Sequence, residues 1–153
     1  MKKHILAFFC ALTLLVGSVP AMALEGEALR SADTLATLNL VQGNGTDYVL
    51  DQPLSRAQAA TLLVRLSGTQ ESEIKDRWIS GFRDLPTWCI DEVDYASMQG
   101  WVKGVSLTEF SPNGTVTANA WFTMLLRMLG YSDAEGDFTV HDAPVFAQRI
   151  GLV

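Results

Sequence analysis

Leu54-Ser55-Arg56-Ala57-Gln58-Ala59-Ala60-Thr61-Leu62-Leu63-Val64-Arg65-Leu66-Ser67-Gly68 aligns without a gap on Val116-Thr117-Ala118-Asn119-Ala120-Trp121-Phe122-Thr123-Met124-Leu125-Leu126-Arg127-Met128-Leu129-Gly130, at an offset of 62 residues. Only four of the fifteen positions are identical, so identity alone carries little. The structural roles correspond throughout. Ser55 and Thr117 stand as N-caps, whose hydroxyls accept from an otherwise unpaired N–H. Gln58, three residues after Ser55, completes a capping box, whereas Val116 and Trp121 occupy the positions of a hydrophobic staple in the second copy. Gly68 and Gly130 close the helices, and Arg65 and Arg127 sit at the negative dipole end. Ala59, Leu62, Leu63 and Leu66 follow helical spacing, as do Phe122, Leu125, Leu126 and Leu129. Trp121, Met124 and Met128 widen the second stripe, so both helices should be surrounded by protein and packed together near the centre of the molecule.

The correspondence continues outward. Leu40-Val41-Gln42-Gly43 matches Trp101-Val102-Lys103-Gly104 at an offset of 61. Each follows a predicted helix, 28–38 and 90–99, and each precedes a turn signal, Asn44-Gly45 or Pro112-Asn113-Gly114. Tyr48-Val49-Leu50 and Glu109-Phe110-Ser111 read as short extended stretches before the second helix. Ala147-Gln148-Arg149-Ile150-Gly151-Leu152-Val153 parallels residues 96–102 at an offset of 51 and starts a third unit that is cut short. The predicted fold is all-α or mostly α: tandem helix–loop–helix repeats around a central helix bundle, with the third repeat incomplete.

The first residues read as an export signal over 1–23. Lys2, Lys3 and His4 precede a twelve-residue apolar run, Ile5 to Val16, and Ala21-Met22-Ala23 supplies small residues for cleavage. The run is short of the roughly 20 apolar residues that span hydrocarbon, and no later run is long enough. Phe9 before Cys10 argues against a lipid anchor. Without Lys2 and Lys3, 9 basic residues face 17 acidic ones, a formal charge of −8. Such a surface disfavours nucleic acid and anionic lipid. Cys89 is then the one remaining cysteine and cannot close an internal disulfide, so stability rests on packing and the thiol is expected to be buried. Export without a disulfide framework fits the wall or surface of a Gram-positive-type cell.

Phe82-Arg83-Asp84, Tyr95-Ala96, Gly100-Trp101-Val102-Lys103-Gly104, Phe110-Ser111-Pro112 and Val116-Thr117 together resemble the S-layer homology (SLH) domain, with its F-x-D opening, Y-A helix, glycine-bounded turn, F-x-P and T-R-A-E helix start. Leu54-Ser55-Arg56-Ala57-Gln58 resembles that last motif in the first unit. The likeness covers nearly the whole exported chain and implies a degenerate SLH repeat over 24–69, a second over 78–137 and the start of a truncated third over 138–153. It also implies noncovalent anchoring of an exported protein to a peptidoglycan-linked secondary polymer, an anionic polysaccharide that often carries pyruvate. The chain departs from the pattern where the first unit lacks a clear F-x-D and where Ala118 replaces the motif arginine.

Arg56 leads the candidate binding residues. A cation at a first helical turn opposes the dipole, and a guanidinium beside free backbone N–H groups makes a cradle for carboxylate or phosphate. The alternative is a solvated surface arginine; as a binding residue, Arg56→Ala should weaken binding to isolated wall polymer without changing the melting point. Asp84 either accepts sugar hydroxyls or caps the following helix. Gly43 and Gly104 suit positive φ and close backbone approach. Trp101 either stacks on sugar or fills the core, as do Trp88 and Tyr95. Lys103 is either a second cation for the site or a solvated lysine.

Other functions have weaker support. Cys89 and His141, 52 residues apart, make no nucleophile–base pair, and no phosphate loop, metal spacing or nucleophile elbow is present. Neither enzyme activity nor a cofactor is implied. Asp47 and Asp51 lack the ligand spacing of a calcium loop. The rival reading is a surface assembly module that self-associates, or docks on another repeat protein, through an exposed apolar helix seam.

Overall fold

A computed structural model describes residues 21–38, 40, 41, 48, 52–75 and 77–153. Most of the signal segment, Gly43, the Asn44-Gly45 turn, Asp47, Asp51 and most of Tyr48-Val49-Leu50 lie outside the described residues. Among the described residues there are six α-helices and no strand: α1 Ala21–Thr37, α2 Arg56–Ser67, α3 Glu71–Ile74, α4 Ile90–Met98, α5 Ala118–Met128 and α6 Ala143–Arg149. A 3-10 turn, Thr87–Cys89, leads into α4. None of these helices is long and apolar enough to cross a membrane. The extended stretch expected at Glu109-Phe110-Ser111 is not a strand. Among the described residues the one β-bridge joins Ser55 to Thr115, and Ser111 turns the chain away with φ 60°.

The chain divides into two compact units, residues 1–52 with 145–153, and residues 53–144. This division cuts across the repeats read from sequence: the 53–144 unit contains the second helix of the first repeat together with all of the second.

The 53–144 unit is organised on α2, which packs against both α4 and α5. α2 starts where the sequence predicts: the Ser55 hydroxyl accepts from the Gln58 N–H, and the Gln58 side chain accepts from the Ser55 N–H. Its buried residues are Ala57, Ala59, Ala60, Thr61, Leu63 and Val64. Leu62 and Leu66, expected inside, are half-buried. Small residues take the inner positions because α2 has neighbours on more than one side, and alanines let their backbones approach. Phe110, Val93, Val102 and Cys89 complete the core. Cys89 donates to the Pro86 carbonyl at 3.4 Å, and burial, reinforced by Glu92, Asp84 and Asp94, pushes its thiol up to about 11. It is a packing residue, as expected.

Helix ends place the loops. At the end of α4 the Trp101 N–H donates to the Ala96 carbonyl and the Gly100 N–H to that of Ser97, both at 2.9 Å. This reversal needs left-handed backbone at Gly100, whose φ is 75°. The corresponding long bond recurs as Leu40 to Leu35, Tyr131 to Leu126 and Leu152 to Ala147. Asp94, buried on α4, accepts from both the N–H and the hydroxyl of Ser80 and so fixes the approach to the Phe82-Arg83-Asp84 segment.

In α5 the Thr117 hydroxyl caps the Ala120 N–H as predicted, and Thr123, Met124, Leu125 and Leu126 are buried. Thr123 bonds back to the Asn119 carbonyl at 2.7 Å. Its counterpart Thr61 has a buried hydroxyl with no partner among the described residues. A buried unpaired hydroxyl costs roughly 1–3 kcal/mol, so Thr61→Val should raise stability by about 1 kcal/mol in chemical denaturation. A loss of stability would mean that this hydroxyl is satisfied in solution.

Candidate functional site

Arg56 opens α2, and its side chain reaches across to the loops between α4 and α5. Its Nε donates to the Phe110 carbonyl at 2.9 Å and its Nη2 to the Lys103 carbonyl at 2.6 Å. The guanidinium carbon lies 4.7 Å from the centre of the Phe110 ring, a cation–π distance. Partial burial pulls the Arg56 pKa down and the Asp84 carboxylate pushes it back up; the group stays charged at neutral pH. Arg56 is therefore not a merely solvated cation, and these contacts count against the expectation that its removal spares the melting point.

The anion cradle expected at the start of α2 is also absent in that form. The Arg56 N–H donates to the Gly114 carbonyl at 2.8 Å and the Ala57 N–H to the Pro112 carbonyl at 3.0 Å. The Ser55 hydroxyl takes the Gln58 N–H, and the Gln58 side chain takes the Ser55 N–H. All four donors that a helix start leaves open are occupied, two of them by a loop more than fifty residues away.

Asp84 faces the same loop from the other side. Its Oδ1 accepts from the Phe110 N–H at 2.9 Å and its Oδ2 from the Ser111 N–H at 2.7 Å. The Phe110 bond is the main cause that holds its pKa below the ordinary carboxylate value. Asp84 does not cap the following helix: neither the 3-10 turn nor α4 has a side-chain cap. The segment 110–111 is thus gripped by a guanidinium at its carbonyl and a carboxylate at its N–H groups.

Gly104 lies at the turn that feeds this loop. Positive φ was expected there and is not found; that conformation belongs to Gly100. The close approach is real. A Cβ on Gly104 would collide with Phe82, and would stand 2.6 Å from the Glu109 carbonyl oxygen. Trp101 is half-buried and engaged edge-on with Tyr95 at 5.4 Å, and Tyr95 in turn with Trp78 at 5.6 Å. Arg56, Asp84 and Gly104 are therefore brought to one loop system, while the ring contacts of Trp101 tie it into an aromatic row. Trp88 is exposed.

One residue that sequence reading passed over belongs here. Asp133 accepts from both Nε and Nη2 of Arg127, at 2.7 and 2.6 Å. Its Oδ2 also lies 3.7 Å from the Lys103 ammonium. The Arg127 hydrogen bond, chiefly, holds its pKa down to about 2. Nothing in local composition marks this pair beyond the short separation of Arg127 and Asp133.

No family model matches the chain, and no solved structure matches it. Three curated proteins are similar to it. The "Cell surface protein" of Thermoanaerobacter kivui is 30% identical over 123 residues, which cover 78% of this chain and 16% of that protein. The "Middle cell wall protein" of Brevibacillus brevis is 31% identical over 72% of this chain and 11% of its own. The "Surface layer protein" of Brevibacillus choshinensis is 32% identical over 67% of this chain and 9% of its own. The chain thus spans less than a fifth of each of these relatives. Their names agree with the expected location, exported to the cell wall or surface. They also fit a non-enzymatic role, and are compatible with SLH proteins.

Two consequences can be measured. Arg56→Ala removes two charge-assisted hydrogen bonds and the ring contact, and should lower unfolding stability by about 2–3 kcal/mol; an unchanged melting curve would contradict the grip described. Asp133 has a folded-state pKa depressed from the usual 3.8 to about 2. Its contribution is complete above the unfolded pKa and is lost as pH falls through the folded one, which amounts to about 2 kcal/mol. Stability should therefore decline between about pH 4 and pH 2, and Asp133→Asn should make that decline shallower. An identical acid profile in the variant would exclude Asp133 as a source.

Proposed function

We propose that the chain is a wall-attachment module built from tandem SLH-type repeats, which holds an exported protein on the bacterial surface by noncovalent binding of an acidic, peptidoglycan-linked polysaccharide. The observation that carries this reading is the arginine at the start of α2. It is fixed by two backbone carbonyls and an aromatic face, yet remains half-exposed at the surface. A rigid, partly desolvated guanidinium recognises an acid group at low entropic cost. The SLH resemblance implies that the polymer meets this motif arginine, and similarity to proteins named for the wall, the cell surface and the surface layer supports the setting. Ala118 stands where α5 would need the same residue, so the reading assigns the site to α2 and its facing loop, with Asp84 and Gly104 as its supports.

A surface assembly module is the second reading, favoured by large apolar side chains left in solvent, with Leu107 93% and Ile79 83% exposed. The two readings separate cleanly. The purified chain should sediment with intact wall sacculi, and should stay in solution when the sacculi have been stripped of secondary polymer. Equal retention on stripped sacculi would end the polymer reading. A chain that forms defined oligomers and ignores both preparations would favour assembly.

A further inference from the structure

Pro112-Asn113-Gly114 forms a turn, as its sequence predicts, and the wall-binding reading gives Asn113 no task. The residues on either side of it are committed. The Pro112 carbonyl accepts from the Ala57 N–H at 3.0 Å and the Gly114 carbonyl from the Arg56 N–H at 2.8 Å, so two N–H groups at the start of α2 are closed from either side of Asn113. Asn113 itself is exposed. Among the described residues neither its carboxamide nor its backbone carbonyl makes a hydrogen bond.

The fold leaves little room for anything but glycine after it. A Cβ at position 114 would stand 3.1 Å from Arg56 Cδ, from the Ser111 carbonyl oxygen and from the Ser111 hydroxyl oxygen. Asparagine before glycine is a labile pair. The next backbone nitrogen can attack the side-chain Cγ, and a bare glycine does not obstruct that approach. One restraint opposes it here: the Gly114 N–H donates to the Ser111 carbonyl at 3.0 Å, and this bond must open before the nitrogen attacks. A surface turn opens at low cost.

We propose that Asn113 is a deamidation site of the folded chain, and that its isoaspartyl product opens the start of α2. In the first step the Gly114 nitrogen bonds to Asn113 Cγ and the Cγ–Nδ2 bond breaks. The side-chain nitrogen leaves as ammonia, with the proton from the Gly114 N–H. In the second step water opens the succinimide at either carbonyl. Breaking the bond from Cγ restores the original main chain with an aspartate. Breaking the bond from the backbone carbonyl routes the main chain through Cβ and Cγ. Water enters, ammonia leaves and nothing is oxidised. The aspartate adds one exposed charge and keeps the backbone. The isoaspartyl linkage adds one main-chain atom, about 1.5 Å of contour, between two carbonyls bound to adjacent N–H groups of one rigid helix. The carbonyls then no longer match that spacing, and at least one of the two bonds is lost. The inference rests on the fold alone and is independent of polymer binding.

The test is ageing of the whole chain in mildly alkaline buffer, below its melting point. Acidic forms are separated by charge and the converted residue is located by peptide mapping, with a synthetic peptide of residues 110–116 as reference. Asn113 should convert more slowly than in the peptide, because of the Ser111 bond. It should convert well ahead of Asn119 in α5, whose carboxamide donates to the His141 carbonyl at 3.1 Å. The isoaspartyl fraction should show an unfolding constant raised about fivefold to tenfold, the loss of one backbone hydrogen bond. Asn113→Asp should melt as the wild type, and Asn113→Gln, whose longer side chain closes the ring far more slowly, should show no conversion at 113. Asn113 left intact after the peptide has fully converted would overturn the proposal. An isoaspartyl fraction as stable as the unaged chain would overturn the effect on α2. Equal destabilisation by Asn113→Asp would assign that effect to charge and not to main-chain length, which also overturns it.

Discussion

The peptide group between Phe110 and Ser111 lies between opposite charges. Arg56 takes its carbonyl, while Asp84 takes its N–H and the preceding one. The peptide dipole runs from the carboxylate to the guanidinium, so each charge strengthens the other's bond and the amide is polarised along the line joining them. Once this peptide is fixed, its neighbours fall into place. The Pro112 and Gly114 carbonyls reach the first two N–H groups of α2, and the Val116 N–H returns to the Leu54 carbonyl at 2.9 Å. A loop with no regular structure of its own thereby closes the start of one helix and sets the start of the next.

α5 is the useful contrast. It has the same hydroxyl cap at Thr117 and the same glycine reversal at Gly130 as its counterpart's two ends. It lacks the arginine, because Ala118 occupies that position. No loop is bonded to its Ala118 and Asn119 N–H groups among the described residues. The two helices therefore share what short-range chemistry dictates and differ where a long side chain has to cross to another part of the chain.

The same distinction explains what could be read from sequence. Caps, helix limits and reversals act over three to five residues, and Ser55, Gln58, Thr117, Gly68 and Gly130 announced them. The pairing of α2 with α5 in one core followed from their apolar width. The grip on the loop joins residues 54, 26 and 27 positions apart, and composition has no means of naming those partners. Arg56 opens its helix where the sequence placed it, but its neighbours differ: loop carbonyls instead of open N–H groups. Of the two reasons expected for Gly104, close approach holds and positive φ does not: crowding by Phe82 and Glu109 requires the glycine. Ser111 gave no signal at all. Nothing about serine in the Phe110-Ser111-Pro112 run foretells a left-handed angle.

Electrostatics bears on the proposed hold of an acidic chain on an acidic polymer. Its net charge of −6 acts at long range, and physiological salt screens such repulsion beyond about 8 Å. Inside that distance the internal pairings matter more than the total. Asp133 faces two cations, Arg127 and Lys103, and Asp84 has given both oxygens to backbone donors. The carboxylates nearest Arg56 and Lys103 are thus already engaged, and they hold the site's geometry while presenting little unpaired negative charge to a ligand. Added salt would weaken the residual repulsion from the distant surface and the attraction at the half-buried guanidinium unequally, because the latter is shielded less. Attachment of the proposed kind would depend on one positioned cation and its neighbours, and would tolerate an overall charge that defeats a binder relying on bulk attraction.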